Sequence, residues 1–330
     1  MVRRIGPLFA FLTLAAISAG QSDFDVDARS PEVPARGPSD IYNSAGTAVV
    51  FTAAQLGLMP RDDIDAFSYG VDYIRPLTAA SHVAIEYSVT RQTVGSQGGG
   101  SVGGGAIWRQ TAPGGNGAAG DVFYLKARRG LGGLIPIARG LRSDAPMHHL
   151  TPRGAGIESE LDGLSFHTNP SDQTRVYFSV RSPGIPGRPW HASDIIRVKP
   201  GGTPTVWARR TQLYLSGGDD IDALAILNRG PEKLGPGDRV WISLRDGSPT
   251  RVQNGINRDS ILEVYPPPHK VIIDWKTLNL ANRAQDEVDA LTGVDPAPIQ
   301  RRKQEQRQSE SVDHDLSLIL TGFFDNRIHL

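Results

Sequence analysis

A six-residue acidic phrase recurs along this chain, and the recurrence constrains its architecture more than any single motif. Asp62-Asp63-Ile64-Asp65-Ala66-Phe67 returns as Ser159-Glu160-Leu161-Asp162-Gly163-Leu164, as Asp219-Asp220-Ile221-Asp222-Ala223-Leu224 and as Asp286-Glu287-Val288-Asp289-Ala290-Leu291. Such spacing marks one supersecondary unit copied along the chain. Two further phrases travel with it. Ser39-Asp40-Ile41-Tyr42, Gly120-Asp121-Val122-Phe123 and Ser193-Asp194-Ile195-Ile196 form one set, and Asp259-Ser260-Ile261-Leu262 shifts its acid by one place. Tyr87-Ser88-Val89, Phe178-Ser179-Val180 and Ile242-Ser243-Leu244 form the other, with Phe24-Asp25-Val26 as its N-terminal copy. Short apolar runs, such as Thr47 to Phe51, Thr205 to Ala208 and Val271 to Trp275, lie between.

Each unit thus offers several short strand candidates, rich in Val, Ile, Tyr and Phe and bounded by Gly, Pro, Asp and Ser. Helical periodicity is hard to find between residues 21 and 298. The predicted class is all-β, a four-bladed β-propeller-like repeat in which Phe24-Asp25-Val26 completes the blade of the last acidic phrase. Closure would remove open sheet edges. The alternative is a β-sandwich or a stack of β-repeats. Blades of roughly 65 to 80 residues exceed the ~40–50 of familiar propeller repeats, so insertions are expected. Residues 95–119, with Gly98 to Gly100 and Gly103 to Gly105, and residues 130–157 are the candidates.

The pattern resembles repeats of bacterial secreted proteins of unassigned function, which read F-S-hydrophobic, D-I, L-G-L and D-I-D-A-L. Leu56-Gly57-Leu58 followed by Asp62 to Phe67, and Phe178 through Leu224, carry the likeness over most of residues 24–295. The resemblance implies a shared scaffold and no known reaction. Ser159 and Asp259 depart from it.

Residues 1–20 read as a signal peptide: Arg3 and Arg4, an apolar run from Leu8 to Ile17, then Ser18-Ala19-Gly20. A secreted or periplasmic location follows as an expectation, with no membrane span after cleavage. Without the signal, 33 basic residues face 35 acidic ones, which gives no electrostatic case for nucleic acid. Cysteine is absent, so no disulfide staples the fold. Residues 299–330 read as a polar linker followed by a short apolar segment, Leu316 to Phe324. A monomer is expected.

Acids fill the second and fourth positions of every acidic phrase. On a strand, that spacing would turn both side chains to one face. One reading has the fourth-position Asp accepting backbone N–H groups of a neighbouring turn. The other is Ca2+ held by Asp62, Asp63, Asp65, Glu160, Asp162, Asp219, Asp220, Asp222, Asp286, Glu287 and Asp289, since Ca2+ takes six to eight oxygens. No Gly-x-Ser-x-Gly elbow, His-Glu-x-x-His helix, Walker loop or dinucleotide fingerprint occurs. His148-His149 reads as a solvated loop pair, and His82, His167, His191 and His269 have no readable partner. Trp190, Trp207, Trp241 and Trp275 read as packing between blades, and Trp108 as an exposed contact. The functional expectation is a non-enzymatic binding or surface-interaction protein with a protein or carbohydrate partner. A secreted polysaccharide or lactone hydrolase using channel carboxylates is the alternative.

Overall fold

The computed structural model describes residues 23–26, 37, 39–42, 49–68, 82–96, 106–111, 118–130, 133–143, 161–166, 175–181, 190–198, 202–227, 233–257, 260–273 and 288–292. The expected signal peptide at 1–20 and the tail at 299–330 lie outside them. The described chain is all-β with short helices. Its strands are β1 (Asp23–Val26), β2 (Ile41–Tyr42), β3 (Val49–Phe51), β4 (Ile64–Ser68), β5 (His82–Val89), β6 (Val122–Gly130), β7 (Gly133–Ser143), β8 (Leu161–Phe166), β9 (Val176–Val180), β10 (Ile195–Val198), β11 (Thr205–Ala208), β12 (Ile221–Leu227), β13 (Arg239–Leu244), β14 (Ile261–Tyr265), β15 (Lys270–Ile273) and β16 (Val288–Thr292). The helices are α1 (Ala53–Leu56), α2 (Ala106–Thr111) and α3 (Pro249–Asn254).

The strands form four antiparallel sheets of four, ordered β16-β1-β2-β3, β4-β5-β6-β7, β8-β9-β10-β11 and β12-β13-β14-β15. Each acidic phrase enters the first strand of a sheet, and each F-S-type phrase lies on the second. Each D-I-type phrase enters the third, and the apolar runs form the fourth. The chain ends meet as the repeat pattern requires: Phe24 pairs with Leu291 and Asp25 with Ala290. β4 packs beside β8, β8 beside β12, β12 beside β16, and β16 beside β4.

Cores form where adjacent sheets lie face to face. Successive strand residues point to opposite faces, so one strand feeds two cores. Phe178 and Ile196 pack with Leu164 and Val122, towards the preceding sheet. Tyr177 and Ile195 pack with Leu224 and Ile242, towards the following one. Every residue of β4 and of β9 is accordingly buried. Each large apolar side chain so covered contributes roughly 1.5–3 kcal/mol. Trp190, Trp207 and Trp241 are buried as expected, with Trp207 edge-on to Tyr177 at 5.0 Å. Trp275 falls outside the described residues.

One expected insertion contains a strand. Residues 133–143, read as rim loop, form β7 along β6. Gly133, Pro136 and Gly140 disguise it, but an outermost strand tolerates proline because one side of its backbone needs no ladder partner. The other expected insertion, 95–119, carries α2.

Candidate functional site

The acidic phrase divides its labour between positions. At the first position, Asp62 Oδ2 accepts the N–H groups of Met59 (2.8 Å) and Gly95 (2.9 Å), while Oδ1 accepts that of Val94 (2.9 Å). Asp219 does the same one sheet pair further on. Its Oδ2 accepts Ser216 N–H (2.6 Å) and the Thr250 hydroxyl, and its Oδ1 accepts Thr250 N–H (2.8 Å). Both carboxylates are nearly sealed from solvent. Charge-assisted bonds of this kind are roughly twice as strong as neutral ones. Turn-tying of the kind expected of the fourth position is thus present at the first.

Position two lies just before the strand, so the alternation rule that would have put positions two and four on one face does not apply. The backbone of Asp63 is held by Thr90 and Thr93, and that of Asp220 by Arg245 and Ser248. The Asp220 carboxylate also faces Arg245 at 3.6 Å. Position four falls in a β-bulge each time. Ile64 faces Val89 and Ala66 faces Ser88, which leaves Asp65 as the extra residue. Asp162, Asp222 and Asp289 repeat the arrangement. Asp65, Asp162 and Asp222 are buried there. Asp289 is placed by backbone register alone, and Glu160, Asp286 and Glu287 lie outside the described residues.

The serine of the F-S-type phrase has a role that sequence reading missed. Ser88 Oγ donates to Leu161 O (3.1 Å), Ser179 Oγ to Ile221 O (3.2 Å) and Ser243 Oγ to Val288 O (2.7 Å). Each acceptor immediately precedes the bulged Asp of the next sheet. Asp25 occupies the corresponding register in the sheet of the chain ends.

These facts bear on Ca2+. The oxygens of Asp62 and Asp219 already accept N–H and O–H donors, an arrangement that suits a turn. Among the described residues, no three His, Asp or Glu side chains are gathered as metal ligands.

One buried acid outside the phrase is strongly perturbed. Glu86 on β5 forms an ion pair with Arg142 of β7. Burial pushes its pKa up to about 7, and Arg142 and Lys126 oppose the shift only in part. A carboxyl whose folded pKa exceeds its unfolded value favours folding below the unfolded value, and loses that contribution as pH rises through the folded one. Here the loss runs from pH 4.5 to about 7. Glu86→Gln is therefore expected to raise stability at pH 8 by about 1–3 kcal/mol relative to the parent, and to flatten the pH profile over that window. Urea unfolding at pH 5 and pH 8 checks this. An unchanged difference between the two pH values would exclude Glu86 as its source.

A surface site emerges from comparing two equivalent turns. Before Asp62, Thr52 N–H bonds Gln55 Oε1 (2.8 Å), Ala53 N–H bonds Asp40 Oδ1 (2.7 Å) and Leu58 N–H bonds Ala53 O (2.8 Å). Before Asp219, Arg209 N–H bonds Gln212 Oε1 (2.9 Å), Arg210 N–H bonds Asp194 Oδ1 (2.8 Å) and Leu215 N–H bonds Arg210 O (2.9 Å). The turns match bond for bond, which aligns Leu56-Gly57-Leu58 with Leu213-Tyr214-Leu215. Gly57 has φ 85°, and Tyr214 has φ 58° in the same left-handed region. Glycine enters that region freely, whereas a bulky side chain there costs of order 1–3 kcal/mol.

Tyr214 does not recover this cost in the core, because it is 62% exposed. Its ring meets the ring of His269 edge-on at 6.4 Å. His269 Nε2 lies 2.7 Å from Leu213 O, and since a carbonyl only accepts, Nε2 carries the proton. Tyr214, Thr250, Gln253, Asn254, Pro268 and His269 border an open groove of about 680 Å3. The groove adjoins the Asp219 turn, because Thr250 is both a wall residue and a donor to Asp219. In the sheet of β4 to β7 the equivalent position, Val94-Gly95, opens the glycine-rich segment 95–119. Among the eight histidines, His148, His149, His167, His314 and His329 lie outside the described residues, and His82 is placed in β5. Trp108 lies on α2.

No family model, no curated protein and no solved structure matches this chain. Among the described residues, no helix is long and apolar enough to cross a membrane.

Proposed function

We propose that the chain is an exported binding protein whose four sheets form a closed, propeller-like ring, and that it works by presenting rim turns to a partner. The pairing of β1 with β16, and the neighbour order β4, β8, β12, β16 and back to β4, support closure. The three serine-to-carbonyl bonds between successive sheets support a stiff scaffold. The apolar segment Leu8 to Ile17 behind Arg3 and Arg4 supports export.

The observation that carries the binding reading is Tyr214. The fold would be served by glycine at this turn, as Gly57 serves the equivalent one. An aromatic ring is instead held outward at a conformational cost, beside a groove with polar walls. Strained residues of this kind cluster at ligand-contacting positions. The test uses the protein immobilised against a glycan array and a displayed random-peptide library. A ligand retained by the parent and lost by Tyr214→Gly is expected, while the variant melts higher because the strain is relieved by about 1 kcal/mol. Absence of any Tyr214-dependent ligand from both collections would overturn the reading.

A further inference from the structure

The geometry points to a short, uncharged oligosaccharide as the ligand of the Tyr214–His269 groove. This inference rests on the binding reading above and narrows it to a chemical class. Charge speaks first: among the described residues, no Asp, Glu, Lys or Arg lines the groove. An ionic ligand would enter without a counter-charge, and desolvating an unpaired charge is costly. A neutral ligand has no such penalty.

Polar complementarity speaks second. Asn254 Nδ2 donates to Thr250 O (2.7 Å), which leaves its amide oxygen as an acceptor. Gln253 is exposed and bonds to no described residue, so its amide offers both donors and an acceptor. His269 donates from Nε2 to Leu213 O, which leaves Nδ1 for a ligand. Acceptors and donors interspersed at this density match a row of hydroxyl groups, each of which can do both.

The apolar surface speaks third. Tyr214 offers a ring with a negative face, suited to the weakly positive C–H bonds of a pyranose. Pro267 and Pro268 add apolar wall. They also count against an extended peptide, because a proline has no N–H to offer a strand added along the wall. The volume of about 680 Å3 falls within the ~300–1,000 Å3 of small-ligand sites.

The experiment is calorimetric titration of the full chain with cellotriose, maltotriose and triacetylchitotriose, alongside trigalacturonate and a set of uncharged pentapeptides. At least one of the neutral trisaccharides is expected to bind. Tyr214→Asn, which removes the ring but accepts the left-handed backbone, should weaken it about tenfold or more. Tyr214→Phe should stay within about threefold of the parent, since it keeps the ring face. Thermal melting of each variant shows that the fold is intact. Tyr214-dependent binding of trigalacturonate or a pentapeptide, with no neutral sugar bound, overturns the sugar assignment and leaves the binding reading standing. No Tyr214-dependent binding of any probe overturns both.

Discussion

Asp219→Ala is expected to cost about 3–5 kcal/mol of folding stability. The carboxylate accepts from Ser216 N–H, Thr250 N–H and the Thr250 hydroxyl, and only 2% of the residue is exposed. Alanine would leave these donors buried beside an apolar methyl. A buried donor stripped of its acceptor costs about 1–3 kcal/mol, and the losses accumulate because water cannot enter freely. Asp219→Asn should fall between, since it keeps one acceptor oxygen and turns an amide N–H towards other donors. Asp246 is the control. It faces Arg251 at 3.3 Å but its side chain is 60% exposed, so Asp246→Ala should cost under about 1 kcal/mol. Urea midpoints at pH 7 for the three variants decide the matter. Equal losses for Asp219→Ala and Asp246→Ala would show that the turn does not depend on its buried acid.

Gly163→Ala is the second large effect, and repeat consensus argues for the opposite sign. The other copies carry Ala66, Ala223 and Ala290 at this position, so alanine looks like a repair. The space says otherwise. A Cβ at residue 163 would lie 2.6 Å from Ser179 Oγ and 2.8 Å from Leu224 Cβ. The serine can rotate only by giving up its bond to Ile221 O, and the leucine belongs to the buried face of β12. Overpacking of this kind costs about 1–3 kcal/mol. Gly163→Ala should lower the urea midpoint accordingly, and Gly163→Ala with Ser179→Ala should recover part of the loss. A variant as stable as the parent would mean that β8 and β12 can part without penalty.

The strands of this protein were readable where the code is local and repeated. Phe178-Ser179-Val180 and Ile221 through Leu224 announce buried strands because their residue types fit a pleated interior and recur at matching places. The pairing of Phe24 with Leu291 was readable for the same reason, since the N-terminal phrase lacks an acidic phrase before it and the last acidic phrase lacks a clear F-S-type phrase after it. β7 was hidden because an edge strand obeys weaker rules than a central one. The bulge at Asp65 was not readable because nothing in six residues says which of them is extra. The turn-tying by the first-position acid was not readable because its donors, Val94 and Gly95 in one case and Thr250 in the other, lie some thirty residues downstream. Tyr214 left a usable trace. Aligning Gln55-Leu56-Gly57-Leu58 with Gln212-Leu213-Tyr214-Leu215 exposes an aromatic where geometry asks for glycine.

The meeting of the two chain ends has a consequence for how the protein is made. β1 leaves the ribosome long before its partner β16, which is synthesised only after the other three sheets. Until Thr292 has emerged, one sheet stays incomplete and the edge of β1 beside it is unsatisfied. Contacts of such long sequence separation form late and slowly. The sheet that joins the two ends is thus the last to be completed, and its closure waits on synthesis through Thr292.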